Sequence, residues 1–136
     1  MGKRFVLYGF VGICAEIFWT GVGSFLQGDI RLTGFTYIWM FPIYGMTVFF
    51  EPLQHKIKNW PLVLRGGVYT VIIFFVEYNS GLLLRHILGV CPWNYTGLTT
   101  INGLIKLDFA PLWFCFGMLL EKVHNTLDEI SVLLRA

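Results

Sequence analysis

Apolar residues along the chain fall into four long runs separated by short polar stretches. The runs are Phe5 to Leu26, interrupted by Glu16; Phe35 to Phe50; Leu62 to Leu88; and Asp108 to Glu121. A helix needs about 20 mostly apolar residues to cross a bilayer, so each run is read as one membrane span. The polar stretch 27–34, with Asp29 and Arg31, reads as a short loop. The second run ends at Glu51-Pro52, and 54–61 is polar, with His55, Lys56 and Lys58.

Several features refine the spans. Gly9, Gly12, Gly21 and Gly23 give the first one small faces for close helix approach. Pro42, inside Phe41-Pro42-Ile43-Tyr44-Gly45, removes a backbone donor and is expected to kink the second. The third is long for one straight span, so it is either tilted or broken at Asn79-Ser80-Gly81. The segment from Val90 to Lys106 has proline- and glycine-marked turns and too many polar groups for a bare span. It is expected to be a structured cap or a re-entrant piece shielded by protein. After Leu120 the pattern becomes amphipathic through Glu121-Lys122, Leu127, Ile130 and Leu133-Leu134. The expected architecture is all-α: one domain, 1–136, an integral membrane helix bundle of about four spans with a structured loop between the third and fourth.

Composition agrees with this class. Of 136 residues, 56% are hydrophobic and 13% charged, with mean hydropathy +0.66; a soluble domain carries about a quarter charged residues. A net charge of +2 gives no reason to expect a nucleic-acid partner. The apolar run after Met1-Gly2-Lys3-Arg4 is longer than a signal-peptide core and contains Glu16, so it reads as a retained span. Lys3, Arg4, Lys56, Lys58, Arg65, Lys122 and Arg135 fall on one side of a four-span arrangement, against Arg31, Arg85 and Lys106 on the other. That bias predicts both termini, and the amphipathic tail 122–136, in the cytoplasm. Cys14 and Cys115 read as small core residues, and the three cysteines form neither a zinc spacing nor a disulfide framework.

The chemistry lies in acids set in apolar surroundings, where a carboxylate is costly unless paired or neutral. Glu16, Glu77 and Asp108, from three spans, are expected to face one cavity. Tyr44, Asn79, Arg85, Trp93 and Asn94 complete the candidate ligand-binding or translocation site. A water-linked structural pair between Glu77 and Arg85 is the alternative reading of that region. Glu51 and Glu121 read as interfacial caps or ion pairs, with Arg65 and Lys122 within reach. His86 lacks a metal-ligand spacing with His55 or His124, so no metal site is expected. No nucleophile motif and no phosphate-binding loop is present, so no catalytic residue and no cofactor is assigned.

Gly12…Glu16, Phe41-Pro42-Ile43-Tyr44-Gly45, Glu77-Tyr78…Gly81, Pro92-Trp93-Asn94-Tyr95, Gly103 and Trp113 occur in an order that resembles the ABC-transporter type IV (CmpB-like) membrane family, and particularly its transmembrane protein 229-like members. The likeness covers about Tyr8 to Glu121. Where those relatives usually carry Asp after the Pro-Trp pair, this chain has Asn94, one acid fewer. The resemblance implies a permease or permease subunit, moving a small solute, ion or lipid headgroup. Two further readings stay open: an intramembrane enzyme using carboxylate acid/base chemistry on a lipid or isoprenoid, and a non-catalytic lipid- or protein-binding scaffold. Membrane lipid, and a second copy or a partner membrane subunit, are the expected partners, because four spans make a thin bundle.

Overall fold

The structure, a computed structural model, describes residues 1–134. In chain order it comprises helix α1 (Gly2–Leu26), α2 (Met40–Gly45), a 3-10 turn (Met46–Phe50), α3 (Glu51–Ile57) and α4 (Leu62–Leu88). A two-stranded hairpin follows, β1 (Thr100–Ile101) and β2 (Ile105–Lys106), then a 3-10 turn (Leu107–Phe109) and α5 (Ala110–Leu133). The protein is mostly helical, as the apolar runs predict. By compactness it divides into two units, Met1–Phe50 and Glu51–Ala136.

In the first unit, α1 packs on α2 through glycines. Gly9 lies against Phe41 and Gly12 against the ring of Tyr44, while Gly45 makes room for Phe5. A methyl group at Gly12 would overlap the Tyr44 ring. These small residues therefore set how closely the helices approach. Pro42 is the third residue of α2. It sits in the first helical turn, where a missing N–H costs nothing, so the expected kink is absent. The second apolar run does not form one long helix. Residues 32–36 run irregularly beside α1: Gly34 lies against the Ile17 carbonyl, and Phe35 N–H donates to Thr20 Oγ1 at 2.9 Å. The loop before it is closed by Asp29, whose carboxylate accepts the Arg31 and Thr33 N–H groups at 2.9 and 3.3 Å. The Thr33 side chain, then the Arg31 N–H, hold Asp29 below the usual carboxylate range.

In the second unit, α4 begins after Pro61 and ends at Gly89, a left-handed C-terminal residue at φ +75°, the common glycine stop. It is unbroken. Asn79 donates its amide to the Phe75 carbonyl and Ser80 its hydroxyl to the Val76 carbonyl, both at 2.7 Å. Polar side chains that look like a break in the sequence thus bond back into their own helix. Gly81 is a seat for Leu104 and Trp93. Twenty-seven residues at about 1.5 Å each exceed a bilayer core of roughly 30 Å. Close packing joins α4 to α5 at Gly117, which abuts Tyr69, and at Gly66, which abuts Phe114.

Among the described residues, α1 and α4 are the two helices long and apolar enough to cross a membrane, and only 22% of each apolar window is buried. A soluble protein's core helix would be mostly covered. Here Phe18, Val71 and Phe75 stand outward, at 74%, 68% and 67% exposure. Helix α2 is too short, and the apolar part of α5 stops at Glu121-Lys122. Cys14 and Cys115, expected in the core, are exposed instead, because the glycines and large aromatics occupy the packed faces. Residues 135–136, the end of the expected 122–136 tail, with Arg135 of the charge bias, lie outside the described residues; α5 itself continues through Leu133.

Candidate functional site

The acids within the apolar helices share one partner type. In the first unit, Tyr44 Oη donates to Glu16 Oε2 at 2.9 Å. Tyr44 reaches it because its ring rests on Gly12, one helical turn before Glu16. The conspicuous glycine, the acid and the Pro-Ile-Tyr-Gly run are therefore parts of one contact.

In the second unit, Glu77 is 5% exposed and accepts from Tyr95 Oη at 2.7 Å. Tyr95 comes from the segment between α4 and α5, which folds as a cap. Asn102 and Gly103 take φ +54° and +70°, and Leu104 N–H donates to the Ile101 carbonyl at 3.0 Å. This is the Asn-Gly turn that a tight hairpin favours. Trp93 is buried and donates its indole N–H to the Leu104 carbonyl at 3.0 Å, and Tyr95 N–H donates to the Gly103 carbonyl at 2.8 Å. The cap is fastened to α4 by Glu77–Tyr95, by Asn102 Nδ2 donating to Tyr78 Oη at 2.8 Å, and by Arg85 donating to the Asn102 carbonyl at 3.0 Å. Residues 77, 78, 81, 84 and 85 lie on one face at helical spacing, so α4 presents a single docking surface. The chain between the third and fourth runs is thus a structured loop.

A third acid, Glu121, is 7% exposed on α5. It accepts from Tyr69 Oη at 2.6 Å and pairs with Arg65 Nη1 at 2.9 Å. The expected ion pair with Arg65 is there, and Glu121 is buried within the protein. Arg65 and Tyr69 stand four residues apart on α4, and that spacing was the available signal for this cluster.

The remaining candidates separate. Asp108 is exposed; it accepts from Thr99 Oγ1 at 2.8 Å and lies 3.8 Å from Lys106 Nζ. Asn79 serves its own helix, and Arg85 serves the cap rather than Glu77. Asn94 is exposed, with its Oδ1 close to Gly103. Tyr69, Tyr95, Arg65 and Glu121 are polar residues that the candidate set omitted. His55, His124 and Asp128 also converge, from 69 residues apart in sequence, which linear ligand spacing could not reveal.

The sequence profile of the family described as putative ABC-transporter type IV matches residues 4–134. The chain belongs to that family. The resemblance carried by the glycine, Pro-Ile-Tyr-Gly and Pro-Trp elements is borne out, and the match extends past it at both ends. The elements that carried the resemblance have a physical meaning in this chain: Gly12 and Tyr44 serve Glu16, while Trp93, Tyr95 and Gly103 build the cap over Glu77. No solved structure matches the chain. Family and apolar helices together make this a membrane protein.

Proposed function

We propose that the protein is a permease, or the membrane subunit of one, and that Glu77 beneath its Tyr95 cap is the polar handle on its path. The observation that carries this reading is a carboxylate 5% exposed in an apolar helix, accepting from a phenol of a separately folded cap. Ionisable groups at such positions are costly and mark ion, proton or substrate routes. A tyrosine is a fitting partner because it can donate to the carboxylate and, on release, leave that oxygen for a cation, an amine or a proton. Glu16 with Tyr44 is a second handle of the same kind. Multi-pass topology with both termini cytoplasmic, and assembly with a second copy or a partner subunit, belong to this proposal. The outward apolar faces of α1 and α4 are what lipid or another subunit would cover.

The experiment is flux in liposomes reconstituted with purified wild type, Glu77→Gln and Tyr95→Phe, across a panel of ions and small solutes. Permeation is expected in wild type, with Glu77→Gln reducing it at least tenfold while the protein stays folded. Flux no higher than in empty vesicles for every solute, or equal flux in wild type and Glu77→Gln, would overturn the reading. A variant that only unfolds sooner would make the acid a fastening of the scaffold.

A further inference from the structure

A second cluster lies at the contact of α3 and α5, among residues that the permeation reading does not use. Glu51 and His55 stand four apart on α3, and His124 and Asp128 four apart on α5, so each helix offers one acid and one imidazole on one face. His124 Nε2 is 3.3 Å from His55 Nε2 and 3.4 Å from Asp128 Oδ2, and His55 Nε2 is 3.7 Å from the same oxygen. On the other side of the His124 ring, Nδ1 is 3.4 Å from Glu51 Oε1. The His124 side chain is 2% exposed.

This arrangement has a definite chemical consequence. A carboxylate oxygen offers only lone pairs, and a neutral imidazole carries one proton. In the tautomer of His124 that donates Nδ1–H to Glu51, Nε2 carries a lone pair on the side of the Asp128 oxygen and the His55 nitrogen. A proton on His55 Nε2 could serve one of these contacts, whereas one metal ion placed among the three atoms would accept a lone pair from each. A carboxylate on the far nitrogen of a histidine is also the usual way a ligating imidazole is oriented and made more basic.

The geometry points to a metal site: we propose that His55, His124 and Asp128 bind one zinc ion, with Glu51 orienting His124. The spacing selects the metal class. Zinc bonds of about 2.0–2.2 Å in a tetrahedron put neighbouring ligand atoms about 3.3–3.5 Å apart. Octahedral magnesium, at about 2.0–2.1 Å, would put them about 3.0 Å apart. The separations of 3.3 and 3.4 Å fall in the tetrahedral range and 3.7 Å lies a little above it, all wider than the octahedral magnesium edge. Two imidazoles and one carboxylate also suit zinc better than a hard cation that prefers oxygen. Three protein ligands leave a fourth position. His55 and Asp128, with side chains 60% and 38% exposed, open it toward the outside of the cluster, so water or an external donor would complete the shell. The ion would tie α3 to α5.

The test is direct and independent of transport. The 136-residue chain is purified in detergent without a histidine tag, stripped with chelator and titrated with zinc, with cobalt as the spectroscopic stand-in. One zinc per chain and the intense visible bands of tetrahedral cobalt are expected. His55→Gln changes an exposed side chain and should leave helicity intact while weakening affinity by more than 100-fold, and Asp128→Asn should act likewise. Glu51→Gln should weaken it about 10–100-fold, the range for an orienting partner, and His86→Gln should leave it unchanged. Absence of stoichiometric binding to wild type, or retention of wild-type affinity in folded His55→Gln, would overturn the site and show that protons alone hold the cluster.

Discussion

The two units solve one problem in different ways. Each holds a glutamate in an apolar helix with a tyrosine hydroxyl. In the first, Tyr44 belongs to a helix seated on glycines, and the bond to Glu16 is a by-product of helix packing. In the second, Tyr95 belongs to an irregular cap whose shape rests on the Asn102-Gly103 turn and on buried Trp93. A helix-borne partner is rigid because its position is shared by every residue of the contact. A cap-borne partner can leave without disturbing the helix beneath it. In the proposed permeation path, this makes Glu77, rather than Glu16, the handle for something that must bind and let go. The pair at Glu121 is a third case, with Arg65 making the acid an ion-pair partner rather than a site.

Glu121→Ala should have the largest effect on stability. It leaves Arg65 largely buried without its carboxylate, a change that costs about 3–5 kcal/mol in known cases; thermal unfolding in detergent would read it. Gly12→Ala should come next, at about 1–3 kcal/mol, because the methyl meets the root of the Tyr44 ring, which cannot move aside. Gly81→Ala meets the flexible end of Leu104 and should cost less; equal losses would erase the contrast between helix packing and cap docking. Tyr95→Phe and Tyr44→Phe each remove one bond to a carboxylate, worth about 1.5–3 kcal/mol at most. Tyr95→Phe should also speed hydrogen exchange across the cap without touching α4, whereas Tyr44→Phe should leave its helices protected. The smallest effect is at Asp29. Its folded carboxyl titrates lower than in the unfolded chain, so its stabilisation is present above the unfolded value and lost as pH falls through the folded one. Asp29→Asn should flatten that acid limb of a stability–pH curve and change little near neutral pH.

Helix α4 has the limits that its apolar run predicts, and α1 begins only three residues before the run. Length and unbroken apolarity are local properties, so they are readable. The cap was legible as a structured loop, because Pro92, Gly97 and Gly103 punctuate it among polar residues. The break expected at Asn79-Ser80-Gly81 was a misreading of side chains that bond to their own helix and of a glycine that receives another segment. Pro42 was misread because its effect depends on how far it stands from the helix start, which the apolar run did not mark.

By itself, the sequence determined that this is a membrane protein with long apolar helices, that acids sit within them, and which family it belongs to. Those follow from composition, run length and motif order, all of which survive without knowing any contact. Only the tertiary structure decided which groups face those acids. Tyr44 is 28 residues from Glu16, Tyr95 is 18 from Glu77, Tyr69 is 52 from Glu121, and His55 is 69 from His124. A hydrogen bond is a matter of a few tenths of an ångström, and that precision arises from how helices and cap close on one another.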